Sequence, residues 1–525
     1  MLKVSNLFSH VPPLFSELAK SISGEIECSP ETLEKYSSTK SPYTIRPQAV
    51  LYPKNATDIK YILSFAREYT MPITVRGNGT SNTGSSLGEG VIIDMTRYFN
   101  HIRQVNMLDQ TITVDAGVTI KTLREKLHAI HLDIPSLTSQ NNDSTIGSVL
   151  STKNVTPASF SQSTLREWVE SLTLVVDTGE EHHICDGVSP SGRLLGIYQA
   201  IFPILTENSP ILRASKPELN DDATGYALWN TSIGPRQLIN HIIGSEGTLG
   251  IITTVTLRLA PHKEHVETLC IPLENKEKLF EYIEKAKKNN ANSMFIYDST
   301  FMELIDRYKP GSAPSFPHAS YTLCVSFYEN NKEQLFSHVK KYLHAINIQI
   351  TDIVSYIDDR SIEKTTESSF LEELLKTYTQ GSLTPIYSCD ALIVPLHMYT
   401  HTLDELENYL YSTGKLYVIT GNAGSGHISV ITLFDPLSAT YENEIDTYTQ
   451  TIFTIIKKHK GSISAKSGEG ISRTPYLPFI YNESTIAIFK KIKEAWDPLH
   501  IFNPGKKIGT TLVYAHKHLT RKDSR

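Results

Sequence analysis

The sequence predicts an α+β protein of two or three domains, and three observations carry that prediction. A glycine-rich loop, Arg76-Gly77-Asn78-Gly79-Thr80-Ser81-Asn82-Thr83-Gly84, lies between two apolar runs, Ile73–Val75 and Val91–Asp94, so it joins strand to strand. From about residue 262 onward, strand-like runs alternate with amphipathic helical patterns. The chain has 525 residues, 40% hydrophobic and 20% charged, which allows several domains that each bury a core.

Taken in order, residues 1–40 read as a helical lead-in and residues 41–261 as a first domain. Within it, residues 46–53 are a strand ended by Pro53. Residues 55–69 are an amphipathic helix, with Ile59, Ile62, Leu63 and Ala66 on one face. Residues 111–115 alternate as a strand, and a helix follows from Thr119 with Leu123, Leu127 and Ile130 on one side. Residues 172–176 make a strand that turns at Asp177-Thr178-Gly179-Glu180. Residues 262–510 form an α+β second domain. Its strands fall near 266–271, 321–327, 392–395 and 429–434, and its helices near 275–288, 330–345, 400–412 and 437–459. A basic tail, 511–525, closes the chain.

The loop at 76–84 carries chemistry. Glycine permits positive φ and close backbone approach, and successive N–H groups then form a nest for phosphate oxygens, with hydroxyls as further donors. It is not a G-x-G-x-x-G dinucleotide fingerprint, because Asn82 stands where the third glycine belongs and no helix follows. Gly84-Ser85-Ser86-Leu87-Gly88 matches G-x-S-x-G, but a nucleophile elbow needs a helix after the turn, and here a strand comes next. His397 and His401 have i, i+4 spacing without the glutamate of a zinc motif, so they read as solvated or packed, and His182-His183 as exposed.

A net charge of −6 argues against nucleic acid as a partner. No apolar run approaches the ~20 residues of a membrane span. Residues 1–23 lack a continuous apolar signal core, which points to a mature cytoplasmic protein. The tail residues Lys517 to Lys522 could touch the acidic inner face of a membrane, although a frayed terminus is the plainer expectation. Cys28, Cys185, Cys270, Cys324 and Cys389 are widely spaced and make no iron–sulfur or zinc framework.

Four motifs in order, the Pro47…Pro53 start, the 76–84 loop, Gly244-Ser245-Glu246-Gly247-Thr248-Leu249-Gly250-Ile251-Ile252, and Asp497-Pro498…Asn503-Pro504-Gly505-Lys506, resemble the FAD-linked oxidases. That group includes D-lactate dehydrogenase and the glycolate oxidase flavoprotein subunit. The resemblance covers residues 36–508. It implies a two-subdomain FAD-binding domain of the vanillyl-alcohol-oxidase and para-cresol-methylhydroxylase type, plus an α+β cap domain. It assigns FAD contacts to Arg76, Gly77, Asn78, Gly79, Thr80, Ser81, Gly84, Thr145, Gly147, Ser148, Glu246, Gly247, Thr248, Gly250, Ile251, Ile252 and Asn503. Thr224 to Leu228 matches a further flavin-proximal element. Asn154 to Pro157 departs from the family pattern. Covalent relatives place histidine where Thr80 stands, so FAD is expected to be non-covalent.

The same resemblance implies oxidation of a small hydroxy acid or alcohol, and here the chain departs. Relatives carry Gly-His-x-Gly-Asp-Gly-Asn-x-His and a later Glu-His pair, which supply metal ligands and a base. This chain has Asn422, Ser425 and Ser429 in the first motif and Lys466 and Ser467 in the second. Asn and Ser are poor neutral ligands and Lys brings a positive charge, so no metal is expected there. The nearby residues left for chemistry are His427 as base, Lys466 or Arg473 to pair a substrate carboxylate, and Glu469 and Asp390. The competing expectations are an FAD-dependent enzyme on another small substrate and a flavin-binding subunit without its own turnover. The electron acceptor stays open among quinone, cytochrome, oxygen and a partner flavoprotein.

Overall fold

Two strands of the first sheet are buried along their whole length, as parallel strands covered on both faces must be. A computed structural model describes residues 12–137, 141–153, 165–219, 222–229, 234–311, 319–357 and 368–521. That sheet holds β1 (Glu25–Glu27), β2 (Ala49–Tyr52), β3 (Ile73–Arg76) and β4 (Val91–Asp94) in the order β1-β2-β4-β3. Strands β2 and β3 run parallel to β4, and β1 runs antiparallel to β2. The lead-in therefore supplies an edge strand as well as helices, and Phe15, Leu18 and Ile22 join the core of this layer. The helix Ala56–Glu68 forms as the pattern predicts. Asn55 caps it by accepting from the Asp58 N–H, and Ile59, Ile62, Leu63 and Ala66 are fully buried. Each of the larger aliphatics contributes roughly 1.5–3 kcal/mol by leaving water.

In chain order there follow β5 (Ile102–Asn106), β6 (Thr111–Asp115), β7 (Leu132–Asp133), β8 (Val169–Val175), β9 (Glu181–Cys185), β10 (Ile251–Arg258) and β11 (Ala260–Pro261). Five of them form an antiparallel sheet, β5-β6-β10-β8-β9, and β7 pairs with β11 in a separate ladder. The third sheet uses β12 (His265–Leu273), β13 (Ser293–Asp298), β14 (Tyr321–Glu329), β15 (Val354–Ile357), β16 (Thr384–Ile386), β17 (Leu392–Ile393), β18 (Tyr417–Asn422) and β19 (His427–Phe434). Its order is β15-β12-β14-β13-β18-β19-β16, with β17 also on β19. Alternation fixes its two faces. Along β14, Tyr321, Leu323, Val325 and Phe327 point to a core with the helices Leu279–Lys288, Lys332–Ile346 and Tyr441–Lys458. Cys324 points to the opposite core, with the helices Ser299–Tyr308 and Ser368–Thr379.

The two ends of the chain make contacts across the sequence partition. Leu477, Tyr481, Phe489 and Trp496 pack in the core of the second sheet, and Ile501 and Phe502 in that of the first. The C-terminal part of the predicted second domain thus returns to the first, because its amphipathic helix Glu483–Trp496 finds its apolar partners there. The tail is docked through residue 521. Its helix Leu512–His518 places Ala515 in the third sheet's core, Thr520 N–H donates to the Pro42 carbonyl, and Arg521 pairs with Glu442. Among the described residues no helix is long and apolar enough to cross a membrane.

Candidate active site

Loops from all three sheets converge on one cleft. The loop after β3 contributes Arg76, Gly77, Gly79, Thr80 and Ser81. The helix start at Thr145 contributes Thr145, Gly147 and Ser148, and the turn before β10 contributes Glu246, Gly247, Gly250, Ile251 and Ile252. These elements lie far apart in sequence and form one wall. The third sheet and its loops supply Phe295, Asp390, Lys466 and Ser467.

Close packing dictates the glycines. A Cβ on Gly77 would lie 2.4 Å from the Thr145 hydroxyl, and one on Gly79 would lie 2.3 Å from an Arg76 guanidinium nitrogen. Gly79 also has φ +68, the left-handed region that side chains avoid. Thr145 caps the helix Ile146–Ser151 by accepting from the Ser148 N–H. Ser148 completes the reciprocal box, which gives a purpose to the serine that stands where relatives have glycine. The Thr80 hydroxyl lies 3.0 Å from that of Ser144.

Arg76 lines the cleft, yet its guanidinium donates to the Tyr36 and Ser38 carbonyls, both at 2.9 Å, and so fastens the lead-in. Asn78, Gly84, Thr248 and Asn503 do not line the cleft. They brace it. Asn78 donates to the Asp143 carbonyl, and Gly84 packs against Ile471 and Tyr43. The Thr248 hydroxyl donates to the Ser245 carbonyl. Asn503 donates to the Ser85 and Glu246 carbonyls and accepts from Thr74. Thr224 and Tyr226 likewise support from behind, bonding to Ser462 and Thr248. Asn154 to Pro157 lie outside the described residues.

The four predicted catalytic side chains separate. Lys466 faces the cleft. Burial lowers its pKa, Asp390 beside it opposes that, and Arg473 adds to the lowering. Arg473, expected to pair a substrate carboxylate, is fully buried. It donates to the carbonyls of Ser388, Tyr387, Lys466 and Gly468, so it holds the 464–473 loop rather than a ligand. Glu469 is also enclosed. It accepts from the Gly225 N–H and pairs with Lys507, and burial pushes its carboxyl up to about 8, partly offset by Lys507. Neighbouring Glu246 accepts from the Glu469 and Gly470 N–H groups at 2.7 and 2.9 Å, which ties the β10 turn to this loop. His427 opens β19 with its ring buried and is absent from the cleft wall. Burial, then Lys466 and Lys153, hold its pKa well below the ordinary value, so the imidazole is neutral.

Asp390 is on the wall. It accepts from the Asn82 amide, and burial raises its carboxyl above the usual range, against the pull of Arg473 and Lys466. At the positions of the relatives' ligands, the Asn422 amide donates to the Ser425 hydroxyl at 3.2 Å, and Ser429 donates to the Asp390 carbonyl. Phe295 gave no sequence signal, since it is one apolar residue in a buried strand. Ser144 could have been noticed as the neighbour of Thr145. The decoys resolve simply. The loop from Gly84 to Gly88 runs on to β4 without a helix, and His397 and His401 are exposed. His182, expected to be exposed, has its side chain only 9% exposed beside Glu180.

Comparison with known proteins agrees with this layout. The FAD binding domain family matches residues 47–184, and the family of FAD linked oxidases, C-terminal domain, matches 262–507. The D-2-hydroxyglutarate dehydrogenase of Pantoea ananatis is 24% identical over 90% of this chain and 49% of its own length. This chain therefore spans about half the length of that relative. The mitochondrial D-lactate dehydrogenase (cytochrome) of Kluyveromyces lactis is 23% identical over 88% of this chain and 73% of its own. For glycolate oxidase subunit GlcD of Bacillus subtilis the figures are 24%, 90% and 91%. Among solved structures, 4-ethylphenol oxidase from Gulosibacter chungangensis superposes with TM-score 0.67 at 14% identity, covering 95% of this chain and 97% of that one. An alkyldihydroxyacetonephosphate synthase does so with TM-score 0.64 at 15% identity, covering 96% and 87%. These two share the fold. The cleft suits FAD: its hydroxyls converge, and its floor is glycine where a Cβ would collide.

Proposed function

This chain belongs to the FAD-linked oxidase family, and from that premise we propose that it oxidises a small 2-hydroxy acid, D-lactate-like, or a related alcohol at non-covalently held FAD. The observation that carries the reading is the pairing of one carboxylate and one ammonium, Asp390 and Lys466, in the cleft with the glycine loop. Relatives named for D-2-hydroxyglutarate, D-lactate and glycolate support a hydroxy-acid substrate.

Bound FAD supplies the hydride acceptor. Residues 76–81, 145–148 and 246–252 would hold it. Lys466 offers a substrate carboxylate a charge-assisted bond in a half-buried setting. Asp390 receives the hydroxyl proton. Its raised pKa makes it a stronger base than a solvated carboxylate, and Asn82 fixes its orientation. Asp390 thus takes the role that the sequence reading gave to His427, because it faces the cleft and His427 does not. Arg473 and Glu469 hold the loop that presents Lys466. No step is given to a divalent metal at Asn422, Ser429, Lys466 and Ser467, since this set offers a cation no anionic or imidazole ligand. The internal bonds of Asn422 and Ser429 favour the second reading, a flavin-holding subunit without turnover.

Anaerobic flavin reduction against a panel of hydroxy acids and sugars tests both. Asp390→Asn should slow reduction by roughly 10²–10⁴-fold, the usual worth of a positioned base, while His427→Ala stays within a few-fold of wild type. The reverse pattern would return the base to His427. A panel on which nothing reduces the flavin would favour the silent subunit.

A further inference from the structure

We propose that His128, Asp133 and His262 form a binding site for a divalent metal of the zinc type, placed where the chain leaves the first domain for the cap. His128 ends the helix Ile120–His128, whose Leu123 and Leu127 are buried. Asp133 lies in β7 and pairs with Ala260 of β11. His262 follows β11, and its N–H donates to the His131 carbonyl at 3.0 Å. A packed helix end and a two-strand ladder therefore fix all three backbones. One ligand atom from each residue lies within 4.8 Å of the others, and among the described residues no other trio of His, Cys, Asp or Glu does this.

The separation of His262 from Asp133 suits a shared ion. His262 Nδ1 stands 3.5 Å from Asp133 Oδ2. That is long for a hydrogen bond, which peaks at about 2.9–3.0 Å. It is close to the edge of a tetrahedron with bonds of about 2.0–2.2 Å, which is about 3.3–3.6 Å. His262 Nδ1 is buried and makes no hydrogen bond of good geometry, the Asp133 carboxylate at 3.5 Å being its nearest charged neighbour. Asp133 is buried, and its Oδ1 accepts from the Ile134 N–H at 2.7 Å, which leaves Oδ2 turned to His262. Exposed His128 leaves a path for entry. Two imidazoles and one carboxylate suit zinc, with a fourth position for water, and do not suit calcium or magnesium, which prefer all-oxygen shells. None of the three lines the cleft. A bound ion would pin the helix end and β7 to the segment that leads into β12.

The test is equilibrium dialysis of the chelator-stripped, FAD-loaded full chain against Zn²⁺, with elemental analysis. One equivalent should bind with micromolar or tighter affinity. His128→Gln, Asp133→Asn and His262→Gln should each weaken it by at least about 10–100-fold, the loss already seen when outer-shell partners are removed. His128 is exposed, so His128→Gln decides the matter even if the buried variants fail to fold. A His397→Gln/His401→Gln double variant should leave binding unchanged. Absence of stoichiometric zinc, retention of full affinity by His128→Gln, or loss of zinc with the 397/401 pair would each overturn the proposal.

Discussion

Replacing Gly79 with alanine tests the cofactor cradle, because strain and contact can be separated there. Gly79 has φ +68, and a new Cβ would sit 2.3 Å from an Arg76 guanidinium nitrogen. The left-handed backbone costs about 1–2 kcal/mol for any other residue. Moving the guanidinium breaks its 2.9 Å bond to the Ser38 carbonyl, and a hydrogen bond to a charged group contributes about 1.5–3 kcal/mol. The total, about 2.5–5 kcal/mol, falls on FAD binding, since the bound loop must keep this shape. At 1.4 kcal/mol per factor of ten, Gly79→Ala weakens FAD roughly 60- to 4,000-fold. Gly247 has φ +69 with nothing within 4 Å, so Gly247→Ala shows strain alone, roughly 5- to 30-fold. Gly77 lacks positive φ, but a Cβ there meets the Thr145 hydroxyl at 2.4 Å. Gly77→Ala should therefore cost a helix cap, about 0.5–2 kcal/mol. Titration of apoprotein with FAD, followed by flavin fluorescence, gives the three dissociation constants. Folded Gly79→Ala protein that binds FAD within threefold of wild type, or more tightly than Gly247→Ala, would refute the reasoning.

Further measurements bear on the remaining assignments. Lys466→Ala should raise the substrate KM roughly 10- to 150-fold by losing one charge-assisted bond, with FAD affinity nearly unchanged. Arg473→Ala should instead lower the melting temperature, because four carbonyls, three of them in buried bonds, lose their donor. FAD should leave the protein on acid or heat treatment. Flavin fluorescence that stays with the band on a denaturing gel would refute non-covalent binding at Thr80. His241 is buried in the helix Pro235–Ile242, where burial and Arg166 lower its pKa to about 4. As pH falls from 6.5 to 4, the unfolded chain takes up a proton that the native state refuses, so stability drops by about 3 kcal/mol. His241→Leu should remove about that much of the pH dependence in melting experiments across this range, leaving the part that other buried groups such as His427 contribute.

Local pattern determined a good deal by itself. The strand–glycine loop–strand unit, the helix capped by Asn55, the helix starting after Thr119 and the alternation of strands and helices beyond residue 262 all form as read, because short-range periodicity and capping dictate them. The glycine loop and the 246–252 turn pointed to the cleft because positive φ and close approach leave a mark in residue type. The tertiary structure decided the rest. Arg473, Glu469 and His427 sit within a few residues of Lys466 or the altered ligand motif, yet only Lys466 reaches the cleft, since a charged side chain's direction depends on which buried carbonyls and carboxylates need a partner. Phe295 and Asp390 reach it from distant strands. The return of residues 477–502 to the first domain, the docking of the tail and the meeting of His128 and Asp133 with His262 all depend on chain segments over a hundred residues apart. Sequence spacing carries no measure of such distances; packing of apolar faces sets them.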